Sequence, residues 1–116
     1  MDPVEPSQLS KHHCVPCEGG VDPLTPKDFA PYMEITKDWV VASDDKSISR
    51  EFKFKDFNEA ISFINNVAEI AESEGHHPDL NLHNWNKVTV TLSTHAIKGL
   101  SVNDFVVASK IDLLLK

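Results

Sequence analysis

Apolar and polar positions change their period several times along the chain, and each change predicts an element. From Ile48 to Lys55 the side chains alternate, with Ile48, Arg50, Phe52 and Phe54 on one side and Ser49, Glu51, Lys53 and Lys55 on the other. A period of two is that of a half-buried strand. Trp39 to Ala42 is a brief apolar run, and Asp44-Asp45-Lys46 between the two supplies a turn, so the pair predicts a β-hairpin. Next, Phe57, Ala60, Ile61, Ile64, Val67, Ala68 and Ala71 recur at helical spacing. Asp56 with Glu59 three residues on forms the start signal, Gly75 suits a left-handed C-terminal cap, and Pro78 bars continuation. Leu80 and Leu82, a turn or bulge over Asn84 to Lys87, and Val88, Val90 and Leu92 alternating with Thr89, Thr91 and Ser93 predict a second hairpin. Ser101 and Asp104 resemble a capping pair ahead of Val102, Phe105, Val106, Ser109 and Leu113, a final amphipathic helix.

The N-terminal quarter has no such period. Met1 to Pro26 holds five of the seven prolines and the Gly19-Gly20 pair, which predicts a flexible arm over residues 1–24 ahead of a single domain over residues 25–116. Pro26 to Met33 is a short helix with Thr25 as N-cap and Pro26 at its first position, disturbed by Pro31. The resulting order, α-β-β-α-β-β-α, predicts an α+β fold: one four-stranded antiparallel sheet with helices packed on one face.

Composition narrows the partners. A chain of 116 residues, 41% hydrophobic and 25% charged, has room for one core. The formal charge of −7, from 18 acidic against 11 basic residues, lacks the clustered basic face a nucleic acid needs. No apolar run is long enough to cross a bilayer, so neither nucleic acid nor membrane is an expected partner, and a soluble protein is expected. Met1 to Ser10 shows neither a secretory apolar region nor an organellar transit composition, and the two cysteines, Cys14 and Cys17, do not form a disulfide framework; a reducing, cytoplasmic setting follows. His12-His13-Cys14-Val15-Pro16-Cys17 carries half of a zinc site and lacks the second pair that a closed site requires, so a docking tail is the simpler expectation.

Candidate chemistry gathers between Glu72 and Asp104. His76 and His77 leave the long helix, and His95 follows the last strand. Histidine exchanges a proton near neutral pH, so several together suit a reaction that needs both an acid and a base. The alternative is surface histidines in loops. Glu72, one helical turn before His76, is placed to orient it or to bind a ligand's N–H groups, or else is solvated. Asp104 is placed either to cap the last helix or to fix the ring of His95. Trp39 and Trp85 either wall a site or fill the core, Ser93 and Thr94 offer hydrogen bonds, and Pro78 shapes the loop. His76, His77, His83 and His95 as a zinc hydrolase site is a further reading.

The spacing Glu72, His76-His77-Pro78, Trp85, Ser93-Thr94-His95, Asp104 closely resembles the pterin-4a-carbinolamine dehydratase family, and the resemblance runs from about Val21 to the C-terminus. It implies the same α+β fold and a dehydratase that eliminates water from 4a-hydroxytetrahydropterin to give quinonoid dihydropterin, in tetrahydrobiopterin recycling and biosynthesis. It implies His76 and His95 as proton-transfer residues and His77 as a binding residue that also assists. Glu72, Pro78, Trp85, Ser93, Thr94, Asp104 and Trp39 become substrate-binding candidates. Neither a metal nor a redox cofactor is expected, and a homodimer or homotetramer is. Gly75 departs from relatives that carry an acid before the histidine pair. A second expectation is an interaction module, because some animal members of the family stabilise dimers of a homeodomain transcription factor; the stripe on the Asp56 to Glu74 helix is the surface that would serve it.

Overall fold

The computed structural model describes residues 6–15 and 21–115. Its four strands are β1 (Val40–Val41), β2 (Ile48–Lys53), β3 (Asp79–His83) and β4 (Lys87–Leu92), all antiparallel in the order β1-β2-β4-β3. The helices are α1 (Pro26–Ile35), α2 (Phe57–Glu74) and α3 (Val102–Leu113). The α-β-β-α-β-β-α order and the single antiparallel sheet are as the sequence predicts, with short 3-10 helices added at Pro6–Lys11 and His95–Ile97.

Register explains which sheet face is buried. Ile48 pairs with Leu92, Phe52 with Val88 and Leu80 with Val90, so the apolar members of three strands share one face. Ile48, Phe52, Val88, Val90 and Leu92 are buried there, while Ser49, Glu51, Thr89 and Thr91 take the other face. Phe63 of α2 meets Phe52 and Phe54 at 4.6 and 4.9 Å between ring centroids, tying helix to sheet.

Three elements differ from expectation in instructive ways. α1 runs two residues past Met33 and contains Pro31 at its sixth position, where the missing N–H removes one bond of the helical ladder; the Thr25–Asp28 capping box holds its start. α2 buries Ala60, Phe63, Val67 and Ala71, so the predicted stripe is in fact two: Phe57 and Ala68 are exposed, with Ile61 and Ile64 half-buried beside them. α3 is buried almost all round, from Asn103 to Ser109 and at Ile111, because α1, α2 and the Pro6–Lys11 turn all pack on it.

The segment Pro6–Val15, within the stretch expected to be an arm, packs on the domain. Leu9 is 1% exposed and belongs to the main core, and Cys14 packs against it. The sequence signal for the arm is five prolines over Met1–Pro26 and no period, whereas one well-placed leucine and backbone hydrogen bonds to Glu74 and Asn103 hold Pro6–Val15 against the domain. Cys17, Gly19 and Gly20 lie outside the described residues, and so does the complete Cys14–Cys17 motif.

Candidate active site

The site grows from three chain reversals that meet at one end of the sheet. α2 stops at Gly75, which takes φ +65° and donates its N–H to the Ala71 carbonyl, a conformation natural to glycine. That reversal delivers His76 and His77. At the end of β4, Thr94 and Gly99 pair as an isolated bridge around the His95–Ile97 turn. Gly99 has no space for a side chain, since an added Cβ would lie 2.6 Å from Pro23 Cβ. α3 then starts at Ser101, with the Asp104 carboxylate accepting the Ser101 N–H at 3.0 Å.

A cleft of about 430 Å³ opens where these reversals meet, lined by His76, His77, His95, Ser93 and Thr94 together with Cys14, Val15, Glu74 and Asn103. At its base Asp104, 0% exposed, gathers three donors. Oδ1 faces His76 Nε2 at 2.6 Å; Oδ2 accepts the Thr94 hydroxyl at 2.8 Å and the Ser101 N–H. Thr94 Oγ1 also meets Ser101 Oγ at 2.7 Å. A buried carboxylate with both oxygens engaged is an acceptor only, so Nε2 of His76 carries the hydrogen of that contact. His76 Nδ1 is then the ring nitrogen that this contact leaves uncommitted.

Each of the two carboxylates predicted beside the histidines thus holds a different histidine from the one expected. Asp104 holds His76 and not His95; the loop after α2 and the first turn of α3 are neighbours, whereas His95 sits exposed on its own 3-10 turn. Glu72 contacts His77 Nε2 at 2.7 Å instead of His76, in a solvent-exposed pair of small energetic weight. Asp104 is both cap and histidine anchor. Thr94 has its hydroxyl committed to Asp104 and Ser101, while Ser93 lines the cleft with no such tie among the described residues.

Neither tryptophan lines this cleft. Trp39 is buried edge-on against Phe52 and donates its indole N–H to Asp112 Oδ1 at 2.9 Å, eight residues and about 12 Å along α3 from Asp104. Arg50 reaches the same Asp112 oxygen at 2.7 Å, yet burial pushes that carboxyl's pKa upward against both donors. Trp85 is 60% exposed at the tip of the β3–β4 hairpin with φ +56°. The six residues of β4, about 20 Å, separate it from Ser93. Pro78 is half-buried at the entry to β3 and stands outside the cleft lining. His83 bonds Thr89 Oγ1 at 3.0 Å near the same tip, away from the other histidines. Among the described residues no three His, Cys, Asp or Glu side chains are grouped to hold a metal ion.

Glu74 and Asn103 were invisible as site residues in the sequence, because what marks them is contact across 36 residues or more. Glu74 Oε2 accepts from Lys110 Nζ at 2.6 Å and Oε1 from the Cys14 N–H at 2.7 Å. Burial alone would raise the Glu74 pKa, but Lys110, the Cys14 N–H and His13 outweigh it and hold the carboxyl at about 2. Burial, with the Glu74 carboxylate nearby, pushes the Cys14 thiol up to about 12. It stays protonated at neutral pH and points its Sγ at the Asn103 carbonyl, 3.6 Å away.

Comparison with known proteins gives the chain a family. The family profile described as pterin 4 alpha carbinolamine dehydratase matches residues 22–114. A protein of Alkaliphilus metalliredigens, provisionally named a pterin-4-alpha-carbinolamine dehydratase, is 45% identical over 91% of this chain and 95% of its own. A provisionally so named protein of Chlorobaculum tepidum is 41% identical over 94% of this chain and 99% of its own. Among solved structures, a transcriptional coactivator/pterin dehydratase from Brucella melitensis superposes with a TM-score of 0.76 at 32% identity, covering 82% of this chain and all of that one. A pterin dehydratase-like protein identified as a RuBisCO assembly factor in the alpha-carboxysome shares the fold at a TM-score of 0.56 and 21% identity, over 66% of this chain and 87% of its own. With its histidine cleft, its sheet order and a family match from residue 22 to residue 114, the chain belongs to the pterin-4a-carbinolamine dehydratase family.

Proposed function

We propose that the cleft eliminates water from a 4a-hydroxytetrahydropterin to give the quinonoid dihydropterin, by histidine general acid and base catalysis. The observation that carries this is His76, held by buried Asp104, sharing one cleft with His77 and His95. About 430 Å³ is within the usual range for a small-molecule site and suits a bicyclic heterocycle.

The chemistry asks for two proton transfers. The C4a–O bond breaks with its electron pair on oxygen, which takes a proton from the acid and leaves as water. A ring N–H gives its proton to the base, and the nitrogen pair forms the C=N bond. Atoms and charge balance without an oxidant. His76, oriented through Nε2, offers Nδ1 for one transfer. His95, exposed on its turn, exchanges protons with solvent as well as with a ligand. His77, steadied by Glu72, serves binding, and Ser93 supplies a hydroxyl to the heterocycle. Tetrahydropterin recycling by a cytoplasmic homo-oligomer is the setting that fits this role. The test is the loss of water from freshly generated 4a-hydroxytetrahydropterin, followed by absorbance. Wild type should accelerate it, and His76→Ala should lower kcat by about 10² to 10⁴; an unchanged rate in that variant would remove His76 from the chemistry.

A protein-docking role has its own support. The second stripe of α2, Phe57, Ile61, Ile64 and Ala68, leaves apolar surface uncovered in the single chain, and the Brucella relative's name joins coactivator with dehydratase. Ile61→Lys should change the oligomer size seen by light scattering while dehydration persists; an unchanged size would disqualify that stripe as an interface.

A further inference from the structure

Cys14 and Val15 line the histidine cleft, His13 precedes them just outside it, and two nearly buried side chains hold the three residues in place. The Glu74 side chain, 3% exposed, takes the Cys14 N–H on Oε1 and faces His13 Nδ1 at 3.1 Å through Oε2. Asn103 meets Val15 twice: its Oδ1 accepts the Val15 N–H at 3.0 Å, and its Nδ2 donates to the Val15 carbonyl at 2.7 Å. The amide thereby imitates a neighbouring strand. Buried polar groups are costly unless paired, and these two are paired to the backbone of the strap itself. Lys110 fixes Glu74 from the other side. The strap is thus tied by five hydrogen bonds, counting the Cys14 Sγ contact to the Asn103 carbonyl, and none of them serves a helix or strand of the sheet.

What the strap adds to the cleft is chemically distinct from what the histidines add. Cys14 and Val15 line it with a neutral thiol and an isopropyl group, beside a set of ionisable imidazoles. A planar, polar heterocycle that must present its reacting edge to the histidines benefits from an uncharged surface that offers no competing hydrogen bonds. We propose that the His13–Val15 strap is the specificity wall of this site, packing against the pterin ring and its 6-substituent, with Glu74 and Asn103 as positioning residues. The assignment rests on the dehydratase function proposed above and names the part of the site that selects among pterins.

Two full-length variants and one structural readout test it. Val15→Pro deletes the single N–H given to Asn103 and leaves every other cleft side chain in place; Asn103→Ala deletes both anchors of Val15. Kinetics are measured on 4a-hydroxytetrahydropterins carrying a 6-methyl or a 6-dihydroxypropyl group. Amide hydrogen exchange at Cys14 and Val15 is measured with and without a stable oxidised pterin. Both variants should raise KM about tenfold with kcat within about twofold, and alter the kcat/KM ratio between the two substrates. In wild type the oxidised pterin should slow exchange at both amides. An unchanged KM in both variants would overturn the proposal. A rise in Asn103→Ala alone would overturn it too, because the amide would then be touching the ligand itself. If wild type dehydrates neither substrate, the proposed reaction fails, and exchange decides the strap separately: protection by the pterin upholds the wall, and unaltered exchange removes it.

Discussion

Asp104 shows how much one side chain does here. Three donors converge on its two oxygens, so replacement by Asn keeps the shape but offers a single acceptor atom. If the new amide NH₂ faces His76, Nε2 must accept and the hydrogen moves to Nδ1, the wrong atom for a base in the cleft. Asp104→Asn should therefore lower kcat by about 10² or more with a smaller change in KM, and cost about 1–2 kcal/mol of stability because hydrogen bonds to a charged acceptor become neutral ones. Steady-state kinetics beside urea denaturation would check both. A stability loss with kcat intact would leave Asp104 as a helix cap alone. By contrast, Glu72 and His77 are exposed to solvent at 78% and 61%, and Glu72→Gln should shift stability by less than about 1 kcal/mol.

Elements decide where these residues meet, and their existence was largely legible. Alternation in β2 and β4, the Asp56 N-cap and the Gly75 C-cap follow from local chemistry, so the two hairpins and α2 could be placed by eye. Phase and partners were not legible in the same way. Phe63, the residue that ties α2 to the sheet, is missing from the predicted stripe of Phe57, Ala60, Ile61, Ile64, Val67, Ala68 and Ala71 although it shares the buried face with Ala60, Val67 and Ala71, because only the sheet's position says which of two adjacent apolar faces turns inward. The segment Pro6–Val15 has no periodicity at all, and its docking depends on Leu9 finding a core built from the rest of the chain. Gly75 carries a prediction at this scale. An added Cβ meets nothing within 4 Å, so the cost of Gly75→Ala is the left-handed backbone alone, about 1–2 kcal/mol. Gly75→Asn should cost less, since Asn tolerates that conformation; equal stability of all three by thermal melting would contradict the cap.

At the scale of the molecule, contacts between residues far apart in the chain complete both core and cleft. Glu74 with Lys110, Trp39 with Asp112 and Asn103 with Val15 join segments separated by 36, 73 and 88 residues, and no spacing rule points to them. This is why the sequence named the histidines together with Asp104 and Glu72 but not Glu74 or Asn103, which only such distant contacts mark. The Glu74 cluster also sets a pH dependence. Its folded pKa of about 2 lies below the ordinary 4.5, so its stabilisation is fully present above about pH 4.5 and is lost as pH falls toward 2. Denaturation midpoints measured across that window should fall, and Glu74→Gln should flatten the slope; an identical slope in the variant would place the acid sensitivity elsewhere. Cys14, with its thiol held up to about 12, should react with iodoacetamide far more slowly at pH 8 than an unperturbed cysteine does.

The most direct measurement is single-turnover dehydration of 4a-hydroxytetrahydropterin by wild type and by the His76→Ala, His95→Ala double variant, each first shown to be folded and to bind an oxidised pterin. The account predicts rapid loss of water with wild type and a rate near that of buffer with the double variant, despite retained binding. A double variant that binds pterin and dehydrates at the wild-type rate would contradict it.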